Sequence, residues 1–308
     1  MIDAQLEILR PGMQTTIQDL GRPGLMHLGI SHSGVMDELS MLMANRLVGM
    51  PGDNAVLEMT QVGADIRFSS DMVIAITGAK MNYRLNGLNI ANYQAINVKK
   101  GDKLTFHGCQ SGFRSYLAFS GRLQIPAVLN SYSTQLNAGL GGLHGGPLKN
   151  GDVIPLIIEP SRSLKKKKIS PVHFSGHFRI RFTPAPESEH FDSKNFEVFQ
   201  QHTYYVSQNL NRMGIRLSGK PVRPEQYPSY DSRGLLPGAI QVPPDGQPII
   251  AGMDAQTSGG YLRIGQVIQA DMPIIGQLKP GDEIEFLPIE IERARGLLKA
   301  QRTLLSNV

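Results

Sequence analysis

One short phrase recurs three times along this chain. Lys99-Lys100-Gly101-Asp102-Lys103-Leu104-Thr105-Phe106 resembles Leu148-Lys149-Asn150-Gly151-Asp152-Val153-Ile154-Pro155-Leu156. Both resemble Leu278-Lys279-Pro280-Gly281-Asp282-Glu283-Ile284-Glu285-Phe286. Each is a Gly-Asp turn feeding an alternating strand. The second and third stand at the closing positions of two candidate domains, on either side of a lysine run at Lys165 to Lys168. The expected organisation is two related β-rich domains, residues 1–160 and 170–308, joined by a basic linker at 161–169.

The rest of the chain has the same texture. Its 308 residues suffice for two domains of ordinary size. The 33 glycines and 20 prolines favour many short strands and tight turns over long helices. Ala64 to Phe68, Met72 to Thr77, Tyr83 to Leu85, Ala95 to Val98 and Arg114 to Phe119 read as short strands in the first half. Phe178 to Phe182, Tyr204 to Val206, Gly214 to Leu217, Ile249-Ile250 and Gln266 to Ile268 do so in the second. One helix interrupts them: Asp37 is its N-cap, and Leu39, Leu42, Met43, Leu47 and Val48 share a face up to Gly49. The tail from Ile289 to Leu305, with Ile291, Ala294, Leu297, Leu298 and Leu305 at near-helical spacing, is an amphipathic helix.

Composition excludes several classes. The net charge of +5 and a pI near 9.3 raise the question of nucleic acid. The lysine run has no interleaved aromatics, and no helix-turn-helix, zinc or RNP-type pattern accompanies it, so a solvated linker is the reading. No apolar run approaches the roughly 18 residues of a membrane span, and the N-terminus shows no signal-peptide core. With one cysteine, Cys109, no intrachain disulfide can form, and the cytoplasm is the expected compartment.

The densest polar cluster follows a hairpin. In Gly238 to Gly260, GAIQVPPDGQPIIAGMDAQTSGG, a turn at Pro243-Pro244-Asp245-Gly246 separates two strand-like runs. The second run delivers Asp254, Gln256, Thr257, Ser258, Gly259 and Gly260 into one loop, with glycines that let backbone N–H groups approach a ligand. This reads as a binding site for a small polar molecule.

GAIQVPPDGQPI, the run Asp254 to Tyr261, and Gln277-Leu278-Lys279-Pro280-Gly281-Asp282 resemble the C-terminal half of the KipA family. Members of that family are also known as the C component of 5-oxoprolinase, and are related to the carboxyltransferase region of urea carboxylase. The N-terminal half matches at Gly12 to Gly24 (GMQTTIQDLGRPG), Ser33 to Asp37 (SGVMD) and Ala44 to Gly49 (ANRLVG). The middle matches at Ser111 to Ala118 (SGFRSYLA) and at Gly139-Leu140-Gly141-Gly142. The resemblance spans nearly the whole chain and implies a mainly β fold of two tandem cyclophilin-like β-barrels with a few short helices. It implies one subunit of an ATP-dependent 5-oxoprolinase, inactive alone, which opens the lactam to glutamate. The implied partners are a KipI-like protein (the B component of that enzyme) and a LamB/YcsF-like protein (its A component). ATP is the implied co-substrate, with no covalently bound cofactor. A KipA-like regulator of a KipI-like kinase inhibitor is the alternative. So is a carboxyltransferase on urea or allophanate, which needs a biotin domain not found in this sequence.

Candidate site residues follow from both readings. By spacing alone Asp254 is either an Asx-turn cap or a site residue; the resemblance favours a carboxylate that binds a substrate amide or acts as general base. Gln256, Thr257, Gly259, Gly260 and Tyr261 match the same motif as substrate-binding residues. Arg212 and Arg216 enter a strand four apart, suited to a carboxylate or phosphate, with surface ion pairing as the alternative. Here the resemblance is imperfect: Leu210-Asn211 replaces the expected Ser-Asp, Ile215 replaces an aromatic, and Arg263 stands where a lysine is expected after Gly-Gly-Tyr. In the first domain, Asp19 and Arg22 either pair with each other or, with Arg114, wall a cleft at the domain junction.

The loop Gly139 to Gly146 lacks the Gly-Lys-Ser/Thr ending of a P-loop and reads as a tight turn. His27 and His32 have no metal spacing, and Cys109 beside His107 reads as a small buried residue rather than a nucleophile. Lys80-Met81 lacks the preceding methionine of a biotin acceptor.

Overall fold

The computed structural model describes residues 2–158, 168–224 and 231–306. Most of the expected 161–169 linker, including Lys165 to Lys167, lies outside the described residues. The described chain divides into two compact units, one drawn from 1–22 and 33–174, the other from 23–32 and 175–306. Pro23–His32 therefore leaves the N-terminal sequence to join the second unit.

All three Gly-Asp turns have the same construction. The aspartate accepts a hydrogen bond from the lysine N–H three residues back: Lys99 to Asp102 at 2.8 Å, Lys149 to Asp152 at 2.7 Å, and Lys279 to Asp282 at 3.0 Å. The intervening glycines sit at φ +89°, +84° and +87°, where a side chain would be strained. This local chemistry starts the strands Lys103–Phe119, Val153–Ile158 and Glu283–Pro288.

In the first unit ten strands form one curled sheet. Its main path runs Gln14–Gln18, Val56–Thr60, Lys103–Phe119, Asp65–Phe68, Ile2–Arg10, Val153–Ile158 and Gly121–Leu123, with Met72–Leu85 paired onto Lys103–Phe119. Met72–Thr77 and Tyr83–Leu85, expected as separate strands, are one strand, because bulges between Gly78 and Asn82 absorb the break in alternation. The core is aliphatic and aromatic, with Leu6, Ile66, Phe68, Ile74, Phe106, Leu117, Phe119 and Leu156 all within 1% of complete burial.

The helix Glu38–Leu47 starts where expected, with Asp37 accepting from Ser40 N at 2.9 Å. Its buried face differs. Ser40, Met41, Ala44, Asn45 and Leu47 are buried, whereas Leu39, Leu42 and Met43 are half-buried. Ser40 and Asn45 tolerate burial because both are bonded, Ser40 to Asp37 and Asn45 to the carbonyls of Gly52 and Asn54.

The second unit is a closed barrel of seven strands: His177–Pro184, Leu262–Val267, Ala239–Val242, Ile249–Ala251, Gly214–Ser218, Tyr204–Leu210 and Glu283–Pro288. It closes by parallel pairing of His177–Pro184 with Glu283–Pro288. Ring contacts plug one region of it: Phe199 stacks on Phe286 at 4.4 Å and meets Phe182 edge-on at 5.2 Å. Phe199 comes from a helix, Ser193–Gln201, that the periodicity did not reveal; Asp192 caps it by accepting from Asn195 N at 2.6 Å. The C-terminal helix spans Ile291–Ser306, with Ala294, Leu297, Leu298 and Leu305 half-buried and Gln301 donating to Ala270 O. The mainly β expectation of two barrel-like units holds: one is a closed seven-strand barrel and the other a curled half-barrel sheet.

Candidate functional site

The loop after Ile249–Ala251 is built from its base outward. Gly252 lies against the Arg212 carbonyl, so closely that any Cβ would collide with it. The backbone N–H groups of Gly252 and Asp254 donate to the carbonyls of Met213 and Arg212, both at 2.9 Å. Arg212 then closes on the Asp254 carboxylate with two bonds, Nε to Oδ2 at 2.8 Å and Nη2 to Oδ1 at 3.0 Å. Both side chains are buried. Spacing and resemblance suggested separate roles for these groups, Asp254 as catalytic and Arg212 for a substrate carboxylate. The structure makes them partners of each other.

Three further contacts pin the loop. Ser31 Oγ, from the Pro23–His32 excursion, donates to Ala255 O at 2.6 Å. Leu235 N donates to Thr257 O, and Arg233–Gly234 pairs with Ser258–Gly259 as a two-stranded ribbon. Thr257 is half-buried and Gln256 exposed. Arg216 is exposed on Gly214–Ser218, where Ile215 and Leu217 take the buried positions.

Beyond the ribbon lies a small recess of about 10 Å³, room for about one water, lined by Glu187, Asp231, Arg233, Gly234, Gly259, Gly260, Tyr261 and Arg263. It brings together three of the expected residues, Gly259, Gly260 and Tyr261. At its floor Arg263 grips Glu187 with Nε to Oε2 at 2.9 Å and Nη2 to Oε1 at 2.5 Å, while Arg233 Nη1 reaches Oε1 at 3.0 Å. The Glu187 side chain is 2% exposed and that of Arg233 is 50% exposed. Burial alone would push the Glu187 carboxyl up, but the bonds from Arg263 and Arg233 outweigh it and hold the group below its usual range. Glu187 and Arg233 were not recognised in the sequence. Glu187 sits in a short 3-10 helix, Pro186–His190, with no periodic pattern to mark it.

The first-unit candidates have other partners. Asp19 accepts from Ser131 Oγ at 2.6 Å, Tyr132 N at 2.7 Å, Ser133 Oγ at 2.5 Å and Gly21 N at 2.8 Å. Arg22 donates to the carbonyls of Val128 and Ser133. Both residues thus hold the 128–133 segment instead of forming the simple Asp19–Arg22 pair. Gly141 lets this happen, since a Cβ there would strike Ser133 O and the Arg22 guanidinium. The Gly139 to Gly146 loop is accordingly a tight turn that accommodates a buried arginine.

Arg114 is buried over the Phe113 ring at 5.1 Å, with its Nε 3.8 Å from Glu58. Glu58 Oε2 accepts from Tyr116 OH at 2.9 Å and Met36 N at 2.7 Å. Burial, then the nearby Glu58 and Asp37 carboxylates, push the Tyr116 hydroxyl well above its ordinary value, so it stays a neutral donor.

The model of the "Carboxyltransferase domain, subdomain A and B" matches residues 28–288. The chain belongs to this family. It is 39% identical over 297 residues to the C component of 5-oxoprolinase from Escherichia coli (strain K12), covering 96% of this chain and 94% of that protein. The Haemophilus influenzae protein of the same name is 32% identical, with 98% and 97% covered. The urea amidolyase of Saccharomyces cerevisiae is 33% identical over 96% of this chain but only 17% of its own length. Among solved structures, the Kluyveromyces lactis urea amidolyase superposes with a TM-score of 0.90 at 31% identity, over 98% of this chain and 20% of that one. The fold is therefore that of a carboxyltransferase domain, and the full-length similarity is to the 5-oxoprolinase C components.

Proposed function

We propose that this chain is one subunit of a multi-protein, ATP-dependent 5-oxoprolinase. The observation that carries the reading is the end-to-end similarity to two proteins named as the C component of 5-oxoprolinase, whereas the urea amidolyases share only a segment of their length. The lactam of 5-oxoproline is a stable amide. Phosphoryl transfer from ATP to its carbonyl oxygen makes the carbon electrophilic; water then adds, the C–N bond breaks, and glutamate, ADP and phosphate result. The partners supply what this chain's visible motifs do not: a KipI-like protein and a LamB/YcsF-like protein. The isolated chain is accordingly inactive, and the complex works in the cytoplasm.

Within this reading Asp254 is a positioning residue. Its two oxygens are taken by Arg212, and the pair fixes the loop that presents Gly259, Gly260 and Tyr261 to the recess. Gln256 and Thr257 carry the loop between these points, and Arg216 stands outside the recess. Asp19, Arg22 and Arg114 act in the first unit as buried anchors of polar segments. The genetic test is direct. Cells deprived of the gene accumulate 5-oxoproline, and the wild-type gene on a plasmid clears it; unchanged 5-oxoproline in the deletion strain would remove the proposal.

A further inference from the structure

Gln241 is an anomaly on the barrel wall. It lies in Ala239–Val242, a strand whose four residues are all buried, with its own side chain 6% exposed. Its amide nitrogen, Nε2, is buried and has no hydrogen-bond partner among the described residues. The neighbouring surface is apolar, a cluster of Leu235, Ala239, Ala251 and Ala255. A buried amide donor left unbonded costs about 1–3 kcal/mol, and nearly all such groups in native proteins find a partner.

Gly259 lies beside the unbonded amide. Nε2 faces Gly259, where an added Cβ would stand 2.7 Å from it, with Gln256 Nε2 and Leu235 also flanking that position at 3.5 Å. Gly259 is itself a wall of the recess that holds Glu187, Arg233 and Arg263. Gly259 belongs to the two-residue ribbon, Arg233–Gly234 with Ser258–Gly259.

We propose that Gln241 is a ligand-binding residue, its side-chain amide donating to an acyl oxygen of a small amide compound that enters at Gly259. A primary amide is suited to this task. It offers one donor and one acceptor side by side, the complement of a lactam or a urea, in which C=O and N–H point the same way. The assignment of 5-oxoproline as that compound rests on the proposed function; the binding role of Gln241 does not.

The test uses Gln241→Met, which keeps length and volume and deletes the unbonded donor. Without ligand, the variant is expected to be more stable than wild type in urea denaturation, because an unsatisfied polar group has been removed. Thermal shift is then measured on the purified chain with three probes: 5-oxoproline, urea and L-glutamate. Wild type is expected to gain stability with 5-oxoproline, and Q241M to lose at least about tenfold in apparent affinity. Gly259→Ala, which crowds Nε2, is expected to weaken binding likewise. A shift with urea but none with 5-oxoproline would retain Gln241 as the binding residue and remove the 5-oxoprolinase reading. A Q241M variant less stable than wild type, equal binding in the two proteins, or no shift with any probe would overturn the proposal.

Discussion

Arg212 and Asp254, 42 residues apart in the chain, meet through two hydrogen bonds of 2.8 and 3.0 Å with both side chains buried. The same two residues are also joined through the backbone, Asp254 N to Arg212 O at 2.9 Å. A planar guanidinium held at both ends by one carboxylate fixes the direction in which the following residues leave the barrel. The 254–261 loop is therefore placed by an ion pair, not by its own turn preferences.

Breaking this pair on one side leaves a buried charge without compensation. Asp254→Asn is expected to cost about 3–5 kcal/mol of stability, read from urea denaturation. The double substitution Arg212→Met with Asp254→Leu should cost less than the sum of the singles. An Asp254→Asn protein as stable as wild type would contradict the anchoring role.

Glu187 gives a pH dependence of known sign. Its carboxyl lies below the usual range in the folded protein: burial opposes this, and the bonds from Arg263 and Arg233 prevail. An unfolded glutamate titrates near about 4.3. The stability from a depressed carboxyl is thus complete above that pH and is lost as pH falls through the folded value. Denaturation midpoints of wild type and Glu187→Gln, followed from neutral to acid pH, should differ most at neutrality and converge below about pH 4. A constant gap would show that the carboxylate charge contributes nothing.

Two glycines of the loop make a paired comparison. A Cβ on Gly252 collides with the Arg212 carbonyl, whereas one on Gly260 meets nothing nearer than Ser232 Oγ at 3.9 Å. Gly252→Ala should lose about 1–3 kcal/mol through forced backbone movement. Gly260→Ala should stay within about 0.5 kcal/mol of wild type. Thermal melts of the two variants decide the point.

Ser31 ties the Pro23–His32 excursion to the loop through Ala255 O. Ser31→Ala should remove about 1 kcal/mol, the net worth of one buried hydrogen bond. Hydrogen exchange should rise at residues 253–257 and not in Ala239–Val242. Uniform exchange across the barrel would mean the contact supports the fold as a whole.

What the sequence made legible was local chemistry. The Gly-Asp turns, the Asp37 cap and the C-terminal helix are all set by residues within one or two turns of each other, and each appears where expected. The strand breaks were less legible: Met72–Leu85 carries bulges that look like ends. The recess was half legible. Gly259, Gly260 and Tyr261 belong to a contiguous motif, but Glu187 lies 76 residues from Arg263, and Ser31 lies 224 residues from Ala255. Nothing in the spacing of those residues announces the contact. The meeting of Arg212 with Asp254 was hidden for the same reason, although both had been singled out.

The most direct test of the account is an omission assay. This chain is mixed with the KipI-like and LamB/YcsF-like proteins proposed as its partners, and glutamate formed from 5-oxoproline is measured with and without each protein and with and without ATP. Glutamate is expected only when all three proteins and ATP are present, with one ATP hydrolysed per glutamate and none by this chain alone. Full activity in the mixture that omits this chain would contradict it.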